Sequence, residues 1–122
     1  MAKGLSPRNI RLKRAYEPAA ADDGTRILVD RLWPRGLKKS EAAIDRWLKD
    51  IAPSTALRQW FAHDPARWPE FRRRYRSEIR RHPDQLAELR ALARKGPVTL
   101  IFSARDERRN DAVVLRSVLL GR

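Results

Sequence analysis

The chain has no cysteine and only two histidines, His63 and His82. Disulfides, a thiolate nucleophile and Cys-ligated zinc or iron–sulfur centres are therefore excluded, and a His-rich metal site with them. No P-loop, Gly-rich dinucleotide fingerprint or HExxH motif is present, so no metal and no cofactor is expected. No apolar run approaches the ~20 residues of a membrane span. Met1–Arg8 lacks the apolar centre of a signal peptide and reads as a short mobile arm. These absences fit a cytoplasmic protein with no membrane partner. They leave the oligomeric state open.

Acidic charge is also scarce. Fifteen Asp and Glu face 28 Lys and Arg, a net charge of +13. Such a surplus attracts polyanions at low salt, and its Arg bias suits bidentate contact with phosphate or carboxylate. An Arg-biased composition produces the same surplus with no polyanion partner. At 122 residues the chain fits one domain, over residues 9–122, with one core.

What is present points to a small α/β domain. Asn9–Tyr16 alternates Ile10 and Leu12 with Arg11, Lys13 and Arg14, the period of a half-buried strand. Arg26–Asp30 carries three consecutive β-formers, Ile27, Leu28 and Val29, and suits a sheet interior. Ser40 is a good N-cap, and Ile44, Trp47, Leu48 and Ile51 follow at i, i+3, i+4, i+7, which predicts a helix. Pro53 ends it. Ser54 caps a second helix carrying Leu57, Trp60 and Phe61. A third is expected from Pro69, with Phe71, Tyr75 and Ile79 inward. A fourth runs from Pro83 through Leu86, Leu89 and Ala93 to a Gly96-Pro97 stop. Val98–Phe102 reads as a buried strand parallel to Arg26–Asp30. A last helix over about Arg109–Leu120 buries Val114, Leu115, Val118 and Leu119. The expected fold is a three-layer-like α/β domain, with a narrow, mainly parallel sheet of about three strands and about five helices.

In an open parallel sheet, ligands bind at the C-terminal strand edge. Two predicted loops meet there. The first gives Asp30, Arg31, Trp33 and Arg35. The second gives Ser103, Arg105, Asp106 and Asn110. The last helix would add free backbone N–H groups. Arg31, Arg35 and Arg105 suit a phosphate or carboxylate, Trp33 a planar group, and Pro34 stiffens the loop. The same residues allow a plainer reading. Asp30 then pairs with Arg31 or Arg105 as an internal tether, and Trp33 caps the core. No His near Ser103 in sequence could activate it as a nucleophile. Arg72–Arg81 suggests a weaker alternative, a nucleic-acid stripe, or else a solvated helix face. A third alternative is a non-catalytic structural or interaction module.

Several segments together resemble one family. They are Lys13-Arg14-Ala15-Tyr16-Glu17-Pro18, Arg26–Gly36, Trp47, Pro53-Ser54, Leu57-Arg58, Phe71–Tyr75 and Leu100–Asp106. They are similar to the YeaO-like bacterial proteins, part of a larger group classed as a domain of unknown function. The resemblance spans about Ile10 to Leu119 and implies a compact cytoplasmic α/β domain. It brings no substrate and no catalytic residue. Family members often carry a His just before the Asn that is Asn110 here, and this chain has Arg109. The larger group's Cys-containing signature is absent too.

Overall fold

The computed structural model describes residues 5–122. Of the expected arm, residues 1–4 lie outside the described residues. Pro7–Asn9 forms a 3-10 turn whose Pro7 carbonyl accepts a hydrogen bond from Arg116 at 2.9 Å.

Four parallel strands form one sheet: β1 (Ile10–Arg14), β2 (Thr25–Leu28), β3 (Arg46–Trp47) and β4 (Val98–Phe102). Their spatial order is β1-β4-β2-β3. The last strand in sequence thus fills the middle, with Ile10 opposite Val98 on one side and Thr25 opposite Val98 on the other. That explains its composition, because Val98, Thr99, Leu100, Ile101 and Phe102 are all buried. A central parallel strand is covered on both faces and reads as a continuous apolar run.

Five helices accompany the sheet: α1 (Lys39–Ala42), α2 (Thr55–Phe61), α3 (Trp68–Ile79), α4 (Pro83–Lys95) and α5 (Asp111–Leu119). The expected order holds except in one region. The helix predicted from Ser40 to Ile51 is a single turn, α1, followed by β3. Ala43, at φ 51°, ends the turn in the left-handed region. The apolar spacing misleads because these side chains serve two cores. Ile44 and Trp47 pack with Ala15, Leu28 and Ile101 in a small cluster, while Leu48 and Ile51 enter the main core. A real demand enforces β3: the open edge of β2 needs partners. The Arg26 and Leu28 carbonyls accept from Asp45 at 2.8 Å and Leu48 at 3.0 Å.

The main core lies between the sheet and α2–α5, around Ile27, Leu100, Phe71, Tyr75, Leu89 and Leu115. Phe61 and Phe71 stack at 4.3 Å. The other sheet face has a thinner cover of loop, Trp33, Trp47 and a charged cluster. There, Asp23 accepts from Arg26 at 2.6 Å, from Lys13 at 3.2 Å and from the Ala20 N–H at 2.9 Å. Burial would raise the Asp23 carboxyl, but the Ala20 N–H, Lys13 and Arg26 outweigh it and hold it below its ordinary value. Gly24 lets the chain pass close by at φ 65°; a Cβ there would meet the Pro97 carbonyl oxygen at 2.1 Å.

Candidate functional site

Parallel strands put the chain segments after β1, β2 and β4 on one edge, and a cavity of about 400 Å³ opens there. It is lined by residues from all three: Tyr16, then Asp30–Arg35, then Ser103, Ala104, Asn110 and Asp111. Helix α2 and the turn after it contribute Arg58, Phe61 and His63, and α3 contributes Phe71. The loops are fastened from below. Arg14 donates to the carbonyls of Ala104 at 2.8 Å and Ser103 at 3.3 Å. Tyr16 donates to the Arg35 carbonyl at 2.9 Å.

Six of the eight residues expected at the two loops meet in this cavity, Asp30, Arg31, Trp33, Arg35, Ser103 and Asn110, whereas Asp106 does not line it. Arg105 does not line it and is exposed. Five of the six side chains already have protein partners, and Arg35 is the exception. Asp30 Oδ2 accepts from the Ser103 N–H at 2.9 Å and the Ser103 hydroxyl at 2.7 Å. The tether between the loops is therefore this pair of hydrogen bonds, and not an ion pair with Arg31 or Arg105. Arg31 donates to the carbonyls of Pro53 at 2.8 Å and Ala52 at 3.2 Å. Trp33 Nε1 donates to the Leu37 carbonyl at 2.7 Å and its ring meets Trp47 edge-on at 5.5 Å. Asn110, only 2% exposed, caps α5 by accepting from the Val113 N–H at 3.0 Å, and donates to the Asp106 carbonyl at 3.0 Å.

The expectation of free amides at the start of α5 needs correction. Asn110 takes the Val113 N–H and Asp111 takes the Ala112 N–H at 2.8 Å. The helix start therefore presents a carboxyl group to the cavity in place of those two donors.

That carboxyl, on Asp111, is the residue sequence reasoning missed. Burial pushes it well above its ordinary value, and so do the charge of Asp30 and a hydrogen bond with it. Burial and the neighbouring Asp30 charge both favour the protonated form of Asp111. Asp111 read as an ordinary acidic residue favouring a helix N-terminus. The available signal was its place directly after Asn110 on the loop leaving β4. Tyr16, Arg58, Phe61, His63 and Phe71 come from elements remote in sequence, where only the fold could bring them in.

Of the six arginines between Arg72 and Arg81, Arg73, Arg74 and Arg76 have partners, while Arg72, Arg80 and Arg81 are exposed. Arg74 bonds Glu70 at 2.7 Å and stands over the Trp60 ring at 4.4 Å. Arg73 pairs with Glu70, and Arg76 donates to the Arg122 carbonyl at 2.7 Å. Among the described residues, no helix is long and apolar enough to cross a membrane. Among them, no group of three or more His, Cys, Asp or Glu could hold a metal ion.

A family described as the inactive DUF488-N3 subclade matches residues 9–122. The uncharacterized protein YeaO of Escherichia coli (strain K12) is 47% identical over 107 residues, covering 88% of this chain and 93% of that one. An uncharacterized protein of Mycobacterium tuberculosis (strain ATCC 25618 / H37Rv) is 43% identical over 113 residues, covering 93% and 95%. No solved structure matches the chain.

Proposed function

Since this chain belongs to the inactive DUF488-N3 subclade and to the YeaO-like proteins, we propose that it is a binding protein for a small phosphate- or carboxylate-bearing ligand. The ligand sits in the cavity at the C-terminal strand edge. One observation carries this reading. Arg35 and Arg58 line the cavity, and among the described residues neither guanidinium has a hydrogen-bond or ion-pair partner. Arg31 and Arg74, by contrast, spend theirs on protein oxygens. Free guanidinium groups at a concave site suit bidentate capture of an oxyanion. A volume of about 400 Å³ falls among small-molecule sites, and Phe61, Phe71 and Trp33 give it apolar walls.

Binding is favoured over turnover. Ser103 has a carboxylate partner, but it serves as a loop clasp. The family's description as inactive also supports a role without chemistry.

Calorimetric titration with inorganic phosphate, glycerol 2-phosphate and small carboxylates tests the reading. A charge-assisted hydrogen bond contributes about 1.5–3 kcal/mol, so Arg35→Ala and Arg58→Ala should each weaken binding about 10- to 100-fold. An affinity that neither substitution changes would overturn it.

A further inference from the structure

Asp30 and Asp111 lie together in the cavity wall, and neither forms an ion pair with a cationic side chain among the described residues. In a chain with 28 Lys and Arg, that runs against composition. The contrast with Asp23 is direct: its carboxylate is closed off by Lys13 and Arg26. The nearest cation in sequence, Arg31, turns its Nε to the Pro53 carbonyl and one terminal nitrogen to the Ala52 carbonyl. An acid pair in a ligand-sized cavity, with Arg31 bonded elsewhere and no ion pair to either carboxyl among the described residues, offers a place that a cation from outside can fill.

We propose that the ligand is amphoteric, with an anionic end at Arg35 and Arg58 and an ammonium or similar cationic end at Asp30 and Asp111. The inference rests on the anion reading above and adds the second half of the ligand. Phe61, Phe71 and Trp33 line the same cavity and suit a short apolar spacer between the two ends.

Proton balance follows from the empty state. There the Asp111 carboxyl keeps a proton and hydrogen-bonds Asp30, which also accepts from the Ser103 hydroxyl and N–H. The groups around the pair are Tyr75 and Glu78 of α3, Arg31 after β2, Arg58 of α2 and His63 behind it. Glu78 is occupied by Ser54, whose N–H and hydroxyl donate to it at 2.7 and 2.6 Å. Tyr75 donates to the Ile51 carbonyl at 2.7 Å. An arriving ammonium donates its N–H groups to both carboxylates, and Asp111 yields its proton to the buffer. No covalent bond changes.

Isothermal titration calorimetry with phosphoethanolamine, glycerol 2-phosphate and ethanolamine separates the two halves. It is run near pH 7 in two buffers of different ionisation enthalpy. Phosphoethanolamine should bind at least about tenfold tighter than glycerol 2-phosphate, as one charge-assisted contact implies. It should also release more protons; glycerol 2-phosphate corrects for protons carried by the phosphate itself. Asp111→Asn should bring the two phosphates to similar affinity. Equal binding of both phosphates to the wild type, with no extra proton release, overturns the amphoteric ligand and leaves the anion site standing. If no phosphate compound and no small carboxylate binds, both readings fall. If Asp111→Asn does not fold, the wild-type affinity ratio and proton count decide alone.

Discussion

The two aspartate clusters of this domain do opposite things with the same side chain. Asp23, 5% exposed, is surrounded by Lys13, Arg26 and the Ala20 N–H, and its charge is compensated on every side. Asp111 meets another carboxyl, Asp30, and burial together with that charge raises it well above its ordinary value. The first arrangement closes the thin face of the sheet, because Arg26 also donates to the carbonyls of Ala42 and Ala43 at 3.0 Å. The second lines a cavity, where Asp30 clasps Ser103 but no cationic side chain among the described residues pairs with either carboxyl. A charge cluster that satisfies itself belongs to structure; one left half-satisfied beside a cavity is where a ligand has something to supply.

Breaking the first cluster should have the largest effect. Asp23→Ala strands two cations and should cost about 3–5 kcal/mol in denaturant unfolding. Gly24→Ala, next to it, combines a left-handed backbone with a contact at the Pro97 carbonyl and should cost roughly 3 kcal/mol by the same measurement. A loss below about 1 kcal/mol in either variant would remove the first cluster's structural role.

At the second cluster the sign reverses. Asp111→Asn keeps the shape and removes the need to hold a proton, so it should raise the unfolding midpoint at alkaline pH and change it little in acid. The pH dependence of the wild type carries both signs. Asp23 has a lowered native value, so its contribution is full above the unfolded Asp value of about 3.9 and is lost as pH falls through the native value. Asp111 has a raised native value. Its contribution is full below about 3.9 and is lost as pH rises through that raised value. Stability should therefore decline on both sides, and Asp111→Asn should flatten only the alkaline side. Smallest is Trp33→Phe, which removes the hydrogen bond to Leu37 and should cost about 1 kcal/mol. A much larger loss would make Trp33 chiefly a core residue.

The same contrast marks what the sequence made legible. Helices α2–α5 and strands β2 and β4 follow from caps, Pro and Gly punctuation and apolar period. Each helix buries one stripe in one core, and the two strands, covered on both faces, show as unbroken apolar runs. Residues 40–51 failed because their apolar side chains divide between the two sheet faces, and a two-residue strand has no period to show. The cavity's loops were visible from strand ends alone, and they placed Asp30, Arg31, Trp33, Arg35, Ser103 and Asn110 correctly on one edge. Their partners were not visible. Whether Arg31 faces a ligand or the Pro53 carbonyl depends on where the α2 entry loop lies, and nothing near Arg31 in sequence says so. Asp111 was hidden by a sufficient local reason for its presence.

The most direct measurement is the titration of the aspartate carboxyl carbons by NMR in the unliganded protein. Asp111 should change shift well above the ordinary range for aspartate, while Asp23 changes below it. If Asp111 and Asp23 both titrate near the ordinary value, the two clusters do not differ, and the proton held in the cavity is not there.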